Sequence, residues 1–80
     1  MEKKEIVAKI TDFAENVLGY RPEPDEKIFS EIDSLDMLMV IMDIEKEFRI
    51  SISDDEVSRI SADELSIDEL ADRLITTYKL

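Results

Sequence analysis

The sequence predicts an all-α fold: a four-helix bundle with a long loop between the first two helices and a short third helix. Three observations carry that expectation. Eighty residues make one small domain, near the size at which stability is marginal, and without cysteine no disulfide or thiolate metal site can reinforce it. A hydrophobic content of 44% is enough for a core, while one glycine and two prolines leave little material for the turns of a β fold. The apolar residues also recur at helical spacing, with no internal repeat and no separate linker.

From Glu2 to Leu18 the residues Ile6, Val7, Ile10, Phe13, Ala14, Val17 and Leu18 share one helical face, and Gly19 supplies a stop. The stretch YRPEPDEKIFSEI, residues 20–32, holds both prolines, which lack a backbone donor and disfavour helix before them. It reads as a long ordered loop pinned to the core by Ile28, Phe29 and Ile32. A second helix begins at Asp33 or Ser34 and runs to about Arg49, with Asp33 accepting a first-turn N–H and Asp36 favoured by the helix dipole. Ser53 with Glu56 has capping-box spacing and opens a short helix to Arg59. Ser66 with Glu69 repeats that spacing ahead of a face made by Ile67, Leu70, Ala71, Leu74, Ile75 and Tyr78. Ser61 with Glu64 has it too, but the helix it could start is only about a turn long. The predicted helices therefore cover about 2–18, 34–49, 54–59 and 67–79.

The net charge of −11, from 21 acidic against 10 basic side chains, excludes nucleic acid and anionic membranes as expected partners, because both are bound through Lys and Arg. A basic protein surface fits better, since complementary charge speeds encounter and sets orientation. Solubility alone is the competing account of the acidity. No apolar run is long enough to cross a bilayer, and MEKKEIVAKI lacks the continuous apolar stretch of a signal peptide. The expectation is a cytoplasmic monomer without stable membrane insertion.

Advancing about 100° per residue from Ser34 places Met37, Val40, Ile41, Ile44 and Phe48 in one arc of the second helix. Leu35, Leu38, Met39 and Met42 fall in another, roughly opposite, with Asp36, Asp43 and Glu47 between them. Either the other three helices wrap this one and bury both arcs, or the second arc stays exposed. Exposed Leu and Met beside carboxylates make a docking face, because unbranched thioethers adapt to a partner and the charges orient it.

Ser34 itself sits in IDSLDML, between Asp33 and Asp36. Neighbouring negative charge disfavours a second anion, so this serine is a poor nucleophile of its own. It is either a helix-start residue or a hydroxyl modified by another enzyme. With no histidine and no cysteine, neither a Ser-His-Asp arrangement nor a thiol nucleophile can be assembled. A two-carboxylate hydrolase lacks any marked cleft, and residues 25–36 lack the glycine and ligand series of a calcium loop. Asp33 and Asp36 read as solvated rather than metal-ligating. No catalytic residue is assigned.

The segment DSLDMLMVIMDIEKEF resembles the central segment of acyl carrier proteins, and the order of elements, the acidic chain and ISISDDEV extend the resemblance along its length. It implies that Ser34 carries a covalent 4'-phosphopantetheine, transferred from coenzyme A by a phosphopantetheinyl transferase, with Asp33, Leu35 and Asp36 presenting it. It implies also that acyl-transfer or synthase enzymes with basic docking patches are partners. The partner-binding residues expected on that basis are Leu38, Met39, Met42, Asp43, Glu45, Glu47, Ile52, Asp54, Asp55 and Glu56. Met39 stands where many fatty-acid carriers have glutamate, and SEI replaces a segment that often contains glycine. Both departures point to a specialised carrier in a fatty acid, polyketide or related lipid pathway. Two other readings stay open: an acidic adaptor binding non-covalently through the second helix, and a carrier of aminoacyl or peptidyl groups.

Overall fold

A computed structural model describes residues 1–80. Helix α1 spans Lys3–Leu18, α2 Ser34–Phe48, α3 Asp54–Ala62 and α4 Ile67–Tyr78, and a single 3-10 turn, Ile28–Ser30, lies within the long first loop. There is no strand. Helix α1 packs on α2 and α4, and α3 lies against the 3-10 turn.

Each boundary has a local cause. Gly19 adopts φ 81° and donates its N–H to the Glu15 carbonyl, closing α1 in the left-handed conformation glycine tolerates. Arg49 ends α2 the same way at φ 55°, where a Cβ makes the conformation less favourable. Ser53 accepts the Glu56 N–H at the start of α3, and Ser66 with Glu69 forms a full capping box at the start of α4. The third helix is longer than its spacing predicts. It continues through Ser61 to Ala62, because Ser61 is absorbed into the helix, and Glu64, at φ 53°, turns the chain instead of starting a new helix.

The core draws on every element: Ile6, Ile10 and Ala14 from α1, the inner arc of α2, Ile60 from α3, and Ile67, Leu70, Ala71 and Leu74 from α4. Ile28 and Phe29 are buried as loop pins and Ile32 is half-buried. The loop is further fastened to the start of α4, where Asp68 donates its N–H to the Pro24 carbonyl at 2.9 Å and Phe29 donates to the Leu65 carbonyl at 3.4 Å. Lys3 bridges from α1 to Asp68 and Asp72 of α4, and their hydrogen bonds raise its pKa.

Lys27 of the loop pairs with Glu69, the capping-box carboxylate. That ammonium, together with the Ser66 N–H, lowers the Glu69 pKa from the usual 4.5 to about 2. A folded-state pKa below the unfolded value adds stability that is present in full above about 4.5 and is lost as pH falls towards 2. Glu69→Gln is therefore expected to lower the melting temperature by a few degrees at neutral pH. Between pH 4.5 and 2 the gap to the parent should close, as circular dichroism melts across that range would record.

Candidate functional site

Helix α2 sets the site because its two arcs face opposite environments. Met37, Val40, Ile41, Ile44 and Phe48 are buried, whereas Leu35, Leu38, Met39 and Met42 are 68%, 51%, 49% and 64% exposed. The neighbouring helices therefore do not wrap α2. A helix with apolar residues on both faces covers only one of them, and the other leaves a contiguous apolar stripe in solvent.

Ser34 is exposed and is the first residue of α2. Asp33 is its N-cap: in extended conformation, it accepts the Asp36 N–H on Oδ1 at 2.8 Å. The cap leaves the Ser34 and Leu35 N–H groups without an intramolecular partner at the positive end of the helix. The serine also stands at the edge of a cleft of about 450 Å³ between α2 and α3. Ile32, Met37 and Leu38 form one wall, Val57 and Ala62 the other, and Ser58 and Ser61 add hydroxyls. Sequence spacing did not reveal the α3 wall. Val57 and Ala62 read as ordinary helix residues, and only the distance between α2 and α3 makes them line a groove.

The expected partner-binding residues divide into two groups. Leu38, Met39, Met42, Asp54 and Asp55 are exposed and Asp43 is half-buried, so they share the solvent side of α2 and the start of α3. Ile52 and Glu56, by contrast, are buried. Ile52 belongs to the core cluster, and Glu56 lies 3.7 Å from the exposed Arg59 and 3.8 Å from Arg73. Glu45 is occupied within the chain, its carboxylate accepting the Ile52 N–H at 2.8 Å and so fixing the α2–α3 connection. Glu47 pairs with Lys9 of α1 at 3.2 Å. Ile52 and Glu56 are thus held by burial and Glu45 and Glu47 by internal partners, with Glu47 still exposed. Burial, followed by the charges of nearby Glu56 and Glu45, raises the Tyr78 pKa.

Ion pairing is uneven around the molecule. Asp12, Glu15, Asp63, Asp68, Asp72 and Glu69 all meet a Lys or Arg. Asp33, Asp36, Asp43, Asp54 and Asp55, near Ser34 and the exposed stripe, meet none, and neither do acidic residues elsewhere such as Glu5, Asp25 and Glu64.

The family described as "Phosphopantetheine attachment site" matches residues 4–74, which include all of this site. The chain belongs to the acyl carrier protein family. It is 33% identical over 73 residues to an acyl carrier protein of Rubrobacter xylanophilus, a match covering 85% of this chain and 90% of that one. It is likewise 33% identical over 67 residues to an acyl carrier protein homolog of Mycoplasma pneumoniae, covering 76% and 79%. No solved structure matches the chain at a significant level. A carrier protein of this family bears a covalently attached phosphopantetheine. The site fits such an arm: an exposed hydroxyl for the ester, two free N–H groups beside it for the phosphate, and an apolar groove adjoining it. No helix is long and apolar enough to cross a membrane.

Proposed function

We propose that Ser34 bears the phosphopantetheine arm and that this carrier protein presents acyl thioesters on it to biosynthetic enzymes of a fatty acid, polyketide or related lipid pathway. The observation that carries the reading is the exposure of Ser34 at the start of α2, on the cleft edge and next to the apolar stripe. When bound, the arm supplies a thiol that holds an acyl group as a thioester.

The chain's own residues then have distinct tasks. Asp33 caps the first turn that presents the exposed Ser34, and the Ser34 and Leu35 N–H groups would hold the phosphodiester. Leu35, Leu38, Met39 and Met42 supply apolar contact to phosphopantetheinyl transferase and synthase partners, while Asp36, Asp43, Asp54 and Asp55 attract their basic residues. Ser34 needs no base of its own, because the transferase brings one. The flanking carboxylates that make it a poor nucleophile suit it to be another enzyme's substrate.

The test is intact mass after incubation with coenzyme A and a broad-specificity phosphopantetheinyl transferase. The parent should gain one phosphopantetheinyl group and Ser34→Ala none. A gain that survives Ser34→Ala would move the attachment elsewhere, and no gain in the parent would reject the reading.

A further inference from the structure

With no cysteine in the chain, thioethers are its only sulfur groups. The four methionines occupy different environments. Met37 is 5% exposed on the inner arc of α2, Met1 lies at the far terminus, and Met39 and Met42 stand three residues apart on the solvent side of the same helix. That spacing makes their side chains neighbours in the middle of the apolar stripe. Both residues are about half or more exposed and neither belongs to the core.

We propose that Met39 and Met42 form a reversible oxidation site that weakens the docking face of α2. The inference rests on the carrier reading above, since it is docking that the oxidation would alter. The oxidant is a hydroperoxide. A thioether lone pair takes the terminal oxygen, the O–O bond breaks, an S–O bond forms, and water leaves when the oxidant is hydrogen peroxide. Sulfur loses two electrons and the peroxide gains them. The reverse step belongs to a methionine sulfoxide reductase, whose dithiol becomes a disulfide as the sulfoxide oxygen departs as water. A sulfoxide is strongly polar, so two of them in the stripe replace adaptable apolar surface with groups that must be desolvated when a partner covers them. The core is untouched, because the buried thioether of Met37 is shielded on the same helix.

The experiment treats the protein, before any loading, with hydrogen peroxide and locates added oxygen by peptide mass. Melting temperature and the kinetics of loading by a broad-specificity phosphopantetheinyl transferase with coenzyme A are then measured. Met39 and Met42 should gain oxygen well before Met37, with the melting temperature little changed. The KM for the carrier should rise roughly tenfold with kcat nearly constant, and sulfoxide reductase should restore it. The double variant Met39→Leu/Met42→Leu keeps an apolar surface without the sulfur, so the same treatment should leave its loading at its own untreated rate, even with Met1 oxidised. Oxidation of Met37 at a similar rate, unchanged loading of the oxidised parent, or equal loss in the leucine variant would each overturn the proposal. An untreated protein that accepts no phosphopantetheine would instead overturn the carrier reading, and this inference with it.

Discussion

Phe29→Ala is expected to destabilise the protein by about 3–5 kcal/mol, the range for emptying an aromatic site in a packed core. Phe29 is 1% exposed although it lies in a loop, and its ring joins the residues buried from all four helices. An 80-residue chain carries about 4–12 kcal/mol in total, so the loss takes a large share of it. The melting temperature should fall by roughly 15–30 °C, followed by circular dichroism at 222 nm as the far-ultraviolet helix signal. The loss has a functional side as well. The same loop leads directly into Asp33, so loosening it frees the N-cap of α2 and the setting of Ser34. A drop of less than about 0.5 kcal/mol, the size of an ordinary surface change, would mean that the loop is not part of the cooperative core.

What the sequence reveals here depends on how local its cause is. The two arcs of α2 follow from helical periodicity alone, and the structure buries Met37, Val40, Ile41, Ile44 and Phe48 while exposing Leu35, Leu38, Met39 and Met42. The capping box at Ser66 and Glu69 is equally local. Ile52 and Glu56 behave otherwise. Both lie in an acidic, serine-rich stretch that reads as surface, and their burial is tertiary: Ile52 joins the core cluster and Glu56 comes within 3.8 Å of Arg73 of α4. Glu45 looks like one more carboxylate on a charged helix, until the chain returns and brings the Ile52 N–H to it. The cleft beside Ser34 is of the same kind, since no pattern along α2 or α3 states the distance between them.

Met39→Glu is the exchange that separates folding from docking most cleanly. Met39 is 49% exposed and outside the core, so the melting temperature should change little, the cost of such a surface exchange being no more than about 0.5 kcal/mol. Docking should respond far more. In the free protein the new carboxylate is solvated, but beneath a partner shaped for a thioether it must lose water without a counter-charge, at a cost of about 1–3 kcal/mol. Acyl transfer to the cognate partner should therefore fall by roughly tenfold to a hundredfold. Loading of Ser34 should change less than transfer does, because Asp33, Leu35 and Asp36 remain as they are. Enzymes that place a basic residue over this position should respond in the opposite sense, gaining from the added charge. The measurements are the melting temperature, the loading rate and the transfer rate for parent and variant. Unfolding of the variant would assign Met39 to the core and undo the two-faced account of α2. Transfer left at the parent rate would place Met39 outside the docking face.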